Sequence, residues 1–301
     1  MNPAPVGAAW LRAAMLMTLL IVAPAYAQDP EALKARHSAL AEQLTNNQFQ
    51  RPLYLESRQI SDALQGDIYA VIEQPYGVVG PALQASTHWC DILILHLNVK
   101  SCRVSSGPDG DVLRINIGHK FEQALEDAYL FEFTYRVAAA TPDFLQVLLD
   151  AEDGPLGTSR YRIMLEVVAL DARRSFLHLS YAYAYGFAAS IATQSYLATL
   201  GRNKVGFSIV ERNAEGQPIY IGGMRGVIER NTMRYYLAIE AYLSALSAPP
   251  TTRQEKRLNL WHSAIEQYPA QLHELERGQY LTMKRKEIQR QQRNASDAAG
   301  K

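Results

Sequence analysis

The chain has 301 residues, with 30 Lys and Arg balanced by 30 Asp and Glu, and hydrophobic residues make up 48% of it. This hydrophobic fraction excludes an intrinsically disordered protein, because such a chain can bury a sizeable core. The formal net charge of zero excludes a protein that attracts nucleic acid through a global positive field.

The first 27 residues have the pattern of a secretory signal peptide. Arg12 precedes an apolar run from Ala13 to Val22, and the small-x-small triplet Ala25-Tyr26-Ala27 then provides a cleavage site. An uncleaved anchor helix is the alternative, but the apolar run is shorter than the ~20 residues that a membrane-spanning helix needs. We therefore expect residues 1–27 to be removed and the remaining chain to be a soluble periplasmic or secreted protein.

Residues 28–52 are predicted to form an amphipathic helix followed by a linker. Apolar side chains recur there at helical spacing, and a polar Asn-Asn pair ends the pattern. Two extended runs, Leu53 to Ile60 and Asp67 to Glu73, then predict strands, because β-forming residues are bounded by turn residues. The stretch from Tyr76 to Asn98 predicts two short helices, with Pro81 at the beginning of a helix rather than inside one.

From Lys100 to about Val210, successive strand-like runs separated by turn signals predict an antiparallel meander. A hairpin turning at Asn213 to Gly216 follows. The next segment, from about Met224 to Ser247, predicts a long amphipathic helix that ends before two prolines. Its apolar stripe is made of Tyr235, Ile239, Tyr242 and Leu246.

Residues 249–301 are predicted to be a helical, basic extension. Trp261 and its apolar neighbours indicate a helix at the beginning of this segment, and Lys and Arg outnumber acidic residues from Glu276 onwards. We expect the last dozen residues to be disordered. The basic tail could contact anionic lipid head groups, although a solvated tail is the simpler interpretation.

Cys90 and Cys102 are the two cysteines of the chain. In an exported protein such a pair predicts a disulfide, whose short loop would stabilise the fold by roughly 2–3 kcal/mol. Two reduced, buried thiols are the alternative. The chain has neither a C-x-x-C redox motif nor the four-ligand spacing of a zinc site.

The order of these elements resembles the START-like superfamily, whose members have the helix-grip fold. The segments GDIYAVIEQPYGVVGPAL, HWCDILILHLNVKSC and GMRGVIERNTMRYYLAIEAYL stand where that family has its first strand and helix, its second helix and its closing helix. The resemblance covers about Leu53 to Ser247. It implies an α+β domain over residues 53–248, in which a curved antiparallel sheet wraps around a long C-terminal helix and encloses an elongated cavity.

Candidate ligand-binding residues follow from the implied cavity. Tyr181, Tyr183 and Tyr185 share one face of a strand and would form an aromatic wall with hydroxyl tips. A packed core or an exposed aromatic ladder is the alternative. Arg225 would hold an anionic head group. The predicted ligand-binding residues are Trp89, Leu93, Tyr181, Tyr183, Tyr185, Arg225, Tyr236 and Tyr242.

The sequence contains no nucleophile, phosphate-binding or metalloprotease motif, and its seven histidines lack metal-ligand spacing. We therefore predict no catalytic residue, metal or cofactor. The leading hypothesis is an exported, non-catalytic carrier of a lipid-, sterol- or quinone-like molecule, with no nucleic-acid partner. The alternatives are a START-like enzyme of the cyclase or hydrolase type, and a cell-envelope interaction module without a ligand.

Overall fold

The structure, a computed structural model, describes residues 30–108, 110–186 and 204–299. The predicted signal peptide lies outside these residues, so cleavage and export stay predictions. Within the described ranges, no helix combines the length and the apolar character needed to cross a bilayer.

Eight strands of the described chain form one antiparallel sheet, in the order β1-β2-β8-β7-β6-β5-β4-β3. The strands from β3 to β8 are each paired with the next, which confirms the predicted meander. β2 pairs with β8 and so joins the beginning of the sheet to its end. The strands are β1 (Leu53–Ile60), β2 (Ala63–Ile72), β3 (Val99–Gly107), β4 (Gly110–Ile117), β5 (Tyr129–Ala140), β6 (Phe144–Asp153), β7 (Thr158–Ala169) and β8 (Ser175–Tyr185).

Helices flank this sheet on both faces and at one edge. A separate hairpin, turning where the sequence predicts, precedes the long central helix. The helices are α1 (Pro30–Ala39), α2 (Ala41–Thr45), α3 (Tyr76–Gln84), α4 (Ser86–Leu93), α5 (Gly223–Ser244), α6 (Pro250–Ile265), α7 (Pro269–Leu272) and α8 (Arg277–Ala299), and the hairpin strands are β9 (Ile209–Arg212) and β10 (Pro218–Tyr220).

Helix α5 lies across the concave face of the sheet, against β1, β2 and β8. Gly66 of β2 permits this close approach, because a side chain there would collide with Thr232 of α5. This arrangement confirms the predicted α+β helix-grip fold class. The helix is not amphipathic with one stripe, however: 14 of its 22 residues are buried, because α6 covers the side that faces away from the sheet.

The convex face has a smaller core of its own. Leu33 of α1, with Leu40 and Leu44, packs on aromatic and branched side chains of four strands. Those strand residues are Tyr69, Phe144, Val168 and Phe176. The N-terminal segment therefore folds back over the sheet, as its helical periodicity predicts.

Two local predictions are wrong. Pro81 lies inside α3, and the break between α3 and α4 falls instead at Ala85, whose backbone is extended. The last dozen residues are helical up to Ala299, because α8 is held against the edge strand β3. Arg290 of α8, for example, donates a hydrogen bond to the carbonyl of Lys100 at 3.3 Å.

The contact between α8 and β3 is polar and buried. The Lys284 ammonium is fully buried and donates to the Val99 carbonyl at 2.7 Å, and the Cys102 amide donates to Gln291 at 2.8 Å. Glu287 lies between two lysines, at 3.0 Å from Lys100 and 2.8 Å from Lys284. Part of the predicted basic surface of the extension is therefore interior.

The predicted disulfide is present. Cys90 of α4 and Cys102 of β3 are bonded, with their Cα atoms 5.1 Å apart. Both cysteines are buried, so the bond ties the second helix to the sheet edge from inside the main core.

Candidate ligand-binding site

A cluster of four tyrosines lies between the concave face of the sheet and α5. Tyr161 of β7, Tyr181 and Tyr183 of β8, and Tyr235 of α5 form this tyrosine cluster. Their ring centroids are 5.1 Å apart for Tyr161–Tyr183, 5.7 Å for Tyr181–Tyr183 and 5.2 Å for Tyr181–Tyr235. Two-residue periodicity places Tyr181 and Tyr183 on the same face of β8, and the ring of Phe131 extends the cluster to β5, at 4.7 Å from Tyr161.

Three hydroxyls of the tyrosine cluster have no hydrogen-bond partner among the described residues. Tyr161 donates to Thr158 at 2.8 Å, but the hydroxyls of Tyr181, Tyr183 and Tyr235 bond to no described side chain or carbonyl. Burial raises the pKa of Tyr161 to about 12 and that of the other three tyrosines above the usual 10. All four therefore stay protonated and able to donate.

The ring of His96, three residues after the end of α4, continues the row of rings beyond Tyr235. The two ring centroids are 5.0 Å apart and nearly parallel. The backbone N–H of Asn98 donates to Nδ1 of His96 at 3.2 Å, so the neutral ring carries its proton on Nε2. That Nε2 is buried and has no partner in the described part of the chain. The site therefore offers an unused ring N–H beside unused hydroxyls.

Burial and four cationic groups act on the pKa of this histidine in the same direction. Burial lowers the pKa of His96 well below 6.5, and Arg234, Lys284, Lys120 and Lys100 lower it further. Two carboxylates accompany these four cations: Glu274 lies 2.8 Å from Arg234 and 2.6 Å from Lys120, and Glu287 pairs with the two buried lysines. Burial also lowers the pKa of Lys284 to about 8.

The structure brings together only some of the predicted ligand-binding residues. Tyr181 and Tyr183 are neighbours in the tyrosine cluster. Tyr185 lies at the rim, where its hydroxyl accepts from Gln59 at 2.6 Å and donates to the Ser61 carbonyl at 3.2 Å.

The two predicted residues of α4 belong to the main core. Trp89 is buried and donates to the Leu83 carbonyl at 2.9 Å, and Leu93 is buried in the same core. Arg225 is already engaged, because its guanidinium bonds to the hydroxyl and the carbonyl of Ser57.

The predicted tyrosines of α5 lie away from the cluster. The hydroxyl of Tyr236 bonds to Arg51 and Glu240, and the ring of Tyr242 packs under the guanidinium of Arg257, 4.2 Å from its centroid. Ligand contact by any of the predicted residues stays a prediction.

Sequence reasoning missed Tyr161, Tyr235 and His96 as site residues. Tyr161 shares a face of β7 with Ile163 and Leu165, and this two-residue spacing could have indicated that its ring points into the core. Tyr235 was already part of the predicted apolar stripe of α5. Nothing in the sequence around His96 shows that one ring nitrogen lacks a partner, since that depends on the packing of α5 and α8.

A groove elsewhere in the fold lies apart from the tyrosine cluster. Within the described ranges, the structure shows a groove of about 430 Å³ along α8, and no group of three His, Cys, Asp or Glu side chains is placed to hold a metal ion. The groove is lined by Phe121, Glu122, Leu275, Gly278, Gln279, Thr282 and Met283.

Known proteins resemble the chain in fold only. No protein-family model and no curated protein matches it. Solved structures that match include START-superfamily proteins, the family that the element order resembles. A START superfamily protein from Mycobacterium smegmatis is 12% identical, covers 46% of this chain and 95% of its own, and has a TM-score of 0.31. Human StAR-related lipid transfer protein 5 is 10% identical over 56% and 91% of the two chains, with a TM-score of 0.31.

An enzyme is also among the structures that match. Norcoclaurine synthase from Thalictrum flavum is 11% identical over 50% of this chain and 80% of its own, with a TM-score of 0.30. At these TM-scores the matches carry no argument about function. The helix-grip assignment rests on the element order and sheet topology of the chain itself.

Proposed function

We propose that the protein binds an apolar small molecule of the lipid-, sterol- or quinone-like class at the tyrosine cluster, between the sheet and α5. The observation that carries this proposal is a set of three inward-facing tyrosine hydroxyls without a partner among the described residues, on the buried Tyr181 and Tyr183 and the partly buried Tyr235. Packed protein interiors pair nearly all buried polar groups, because an unpaired group loses its water without compensation.

A bound ligand would resolve this imbalance. Its apolar part would lie against the aromatic rings, where burial contributes about 25 cal/mol per Å² of apolar surface, and its oxygen atoms would pair with the hydroxyls. The signal-peptide pattern of residues 1–27 supports a role outside the cytoplasm.

The proposal is tested by exposing the purified protein to a bacterial membrane-lipid extract and recording native mass spectra. We expect a complex with one bound lipid, and displacement by that lipid of the apolar fluorophore N-phenyl-1-naphthylamine. A protein that remains empty and does not bind the fluorophore saturably would contradict the proposal and favour an interaction module.

A variant without the three hydroxyls tests whether lipid binding depends on the tyrosine cluster. In Tyr181→Phe/Tyr183→Phe/Tyr235→Phe all rings remain, so we expect unchanged or higher stability but lipid affinity at least about tenfold weaker, since each lost hydrogen bond contributes about 1 kcal/mol. Tyr280→Phe is the matched control, because the buried Tyr280 hydroxyl already donates to the Leu95 carbonyl at 2.9 Å. This control should lose stability and keep its lipid affinity.

A further inference from the structure

The groove along α8 is lined mainly by apolar side chains and has a volume of about 430 Å³. Its lining includes the buried Met283 of α8, the partly buried Leu275 and, from the loop between β4 and β5, Phe121. A Cβ added at Gly278, in the first turn of α8, would meet no described atom within 4 Å. The groove therefore has room for a large side chain from another molecule.

Phe121 is an exposed aromatic residue on a fixed backbone. Its side chain is 59% exposed, and its ring stacks on that of His119 with centroids 5.0 Å apart. The buried Lys100 ammonium donates to the Phe121 carbonyl at 2.9 Å and lies 3.0 Å from Glu287 of α8. This contact holds the loop against the helix. A rigid aromatic side chain loses little conformational entropy on binding, and such side chains are typical anchors of protein interfaces.

The charged groups beside the groove include one of each sign. Glu122 lines the groove next to Phe121, and its carboxylate lies 2.9 Å from the Lys286 ammonium of α8. Both side chains are exposed, so they are available to a partner. A surface with this pair does not repel its own copy, because a two-fold axis can place Glu122 of each copy beside Lys286 of the other.

The exposed ring and the open groove lie on the same surface, which makes that surface complementary to itself. A two-fold axis allows Phe121 of one copy to enter the groove of the other, and the reverse contact follows by symmetry. A small molecule in the groove would leave the outer side of the Phe121 ring in water, whereas a second copy of the chain covers both the ring and the groove.

We propose that the protein forms a two-fold symmetric dimer through the α8 groove, in which Phe121 of each copy lies in the groove of the other. The inference goes beyond ligand binding and does not depend on it, since the groove lies apart from the tyrosine cluster. The contact is small, so we expect a reversible dimer with a dissociation constant of about 10–100 μM.

Sedimentation velocity at protein concentrations from about 1 μM to about 1 mM tests the proposal, with a shift from monomer to dimer as the expected result. Phe121→Ser removes the ring, and Gly278→Leu fills the groove. Each change should weaken the dimer at least about tenfold, because the central aromatic contact of an interface carries much of its affinity. Both variants should unfold near the midpoint of the unmodified protein, since each change lies at an exposed position.

A mixture of the two variants is a sharper test. Phe121→Ser keeps an open groove and Gly278→Leu keeps the ring, so one of the two ring–groove contacts can form between them. The mixture should therefore associate more strongly than either variant alone. Ile60→Ser is the matched control: Ile60 is 65% exposed but lies on β1, at the opposite edge of the sheet from β3 and α8, so the dimer should be unchanged.

Each alternative outcome overturns the proposal. A protein that stays monomeric over the whole concentration range has no such dimer. A dimer that Phe121→Ser weakens but Gly278→Leu does not would use the ring without the groove. Equal weakening by Ile60→Ser would show association through exposed apolar residues in general, and a mixture no stronger than its components would exclude the reciprocal contact.

Discussion

His178 and His96 are both buried, on opposite sides of the same sheet, and their surroundings differ in every polar contact. On the convex side, Nε2 of His178 lies 3.0 Å from Asp67 and Nδ1 lies 3.0 Å from Glu166, and the ring stacks on Tyr69 with centroids 4.2 Å apart. On the concave side, Nε2 of His96 has no partner among the described residues. The first histidine is fully paired within the chain, and the second is not.

The pKa values move in opposite directions for this reason. Burial alone would lower the pKa of His178, but hydrogen bonds to Asp67 and Glu166 outweigh burial and raise it above 6.5. Burial lowers the pKa of His96, and the neighbouring cations act in the same direction. A complete set of partners indicates a structural role for the convex network, whereas the concave side leaves one buried donor, Nε2 of His96, without a partner among the described residues.

The largest expected effect is on stability, and it separates the two histidines. His178→Leu removes the imidazolium that lies between the carboxylates of Asp67 and Glu166, so we expect the free energy of unfolding to fall by about 3–5 kcal/mol. Urea unfolding followed by circular dichroism, slightly below neutral pH, measures this change.

His96→Phe is the paired variant in the same experiment. It keeps a ring stacked on Tyr235 and removes an N–H that has no described partner, so the free energy of unfolding should change by less than about 1 kcal/mol. A loss as large as that of His178→Leu would show that His96 is also held by the fold, and would remove the distinction between the two sides.

Removal of the disulfide should have an intermediate effect on stability, and its local consequences should be confined to the concave side of the sheet. Replacing both Cys90 and Cys102 by Ala should lower the free energy of unfolding by about 2–3 kcal/mol, because the unfolded chain gains freedom. Since α4 and β3 border His96, binding of N-phenyl-1-naphthylamine should also weaken. The NMR titration of His178, across the sheet, should stay as in the unmodified protein; a shifted His178 pKa would mean that the two sides are coupled.

The smallest effect is in the pH dependence of stability. Because the pKa of His178 is raised in the folded state, its protonation stabilises the fold. This contribution to the free energy of unfolding is complete below pH 6.5 and is lost as the pH rises through the folded-state pKa. The lowered pKa of His96 has the opposite consequence: below pH 6.5 the unfolded chain binds a proton that folded His96 does not, so stability falls toward acid.

Each variant should therefore flatten one side of the stability profile. His178→Leu should reduce the loss of unfolding free energy above pH 6.5, and His96→Phe should reduce the loss below it. Unfolding free energies measured at intervals from about pH 5 to about pH 9 give both slopes. Identical slopes in the two variants would contradict the assignment of opposite pKa shifts.

Local signals in the sequence predicted much of the fold. β1 begins and ends at the predicted residues Leu53 and Ile60, and the hairpin turns where Asn213 and Gly216 stand, because alternation and turn residues act over a few positions. The disulfide was predictable for a similar reason: two cysteines, close in sequence, have one partner each.

The candidate site was predictable only in part. Strand periodicity identified Tyr181 and Tyr183, but the choice between Tyr235 and Tyr236 on α5 depends on how that helix is rotated against the sheet. Burial of α5 on both sides hides its orientation, because apolar residues then surround the helix. The unpaired Nε2 of His96 depends on contacts among α4, α5 and α8, which no local pattern encodes.

The contact between α8 and β3 has a further consequence, for the association of molecules with one another. The outer strand of a sheet presents free amide and carbonyl groups that can recruit a strand from another chain and begin aggregation. Here Gln291 accepts the Cys102 amide, and Lys284 and Arg290 donate to the Val99 and Lys100 carbonyls. These side chains occupy the positions that a ninth strand would use. Helix α8 thus prevents the sheet from growing into a neighbouring molecule at this edge.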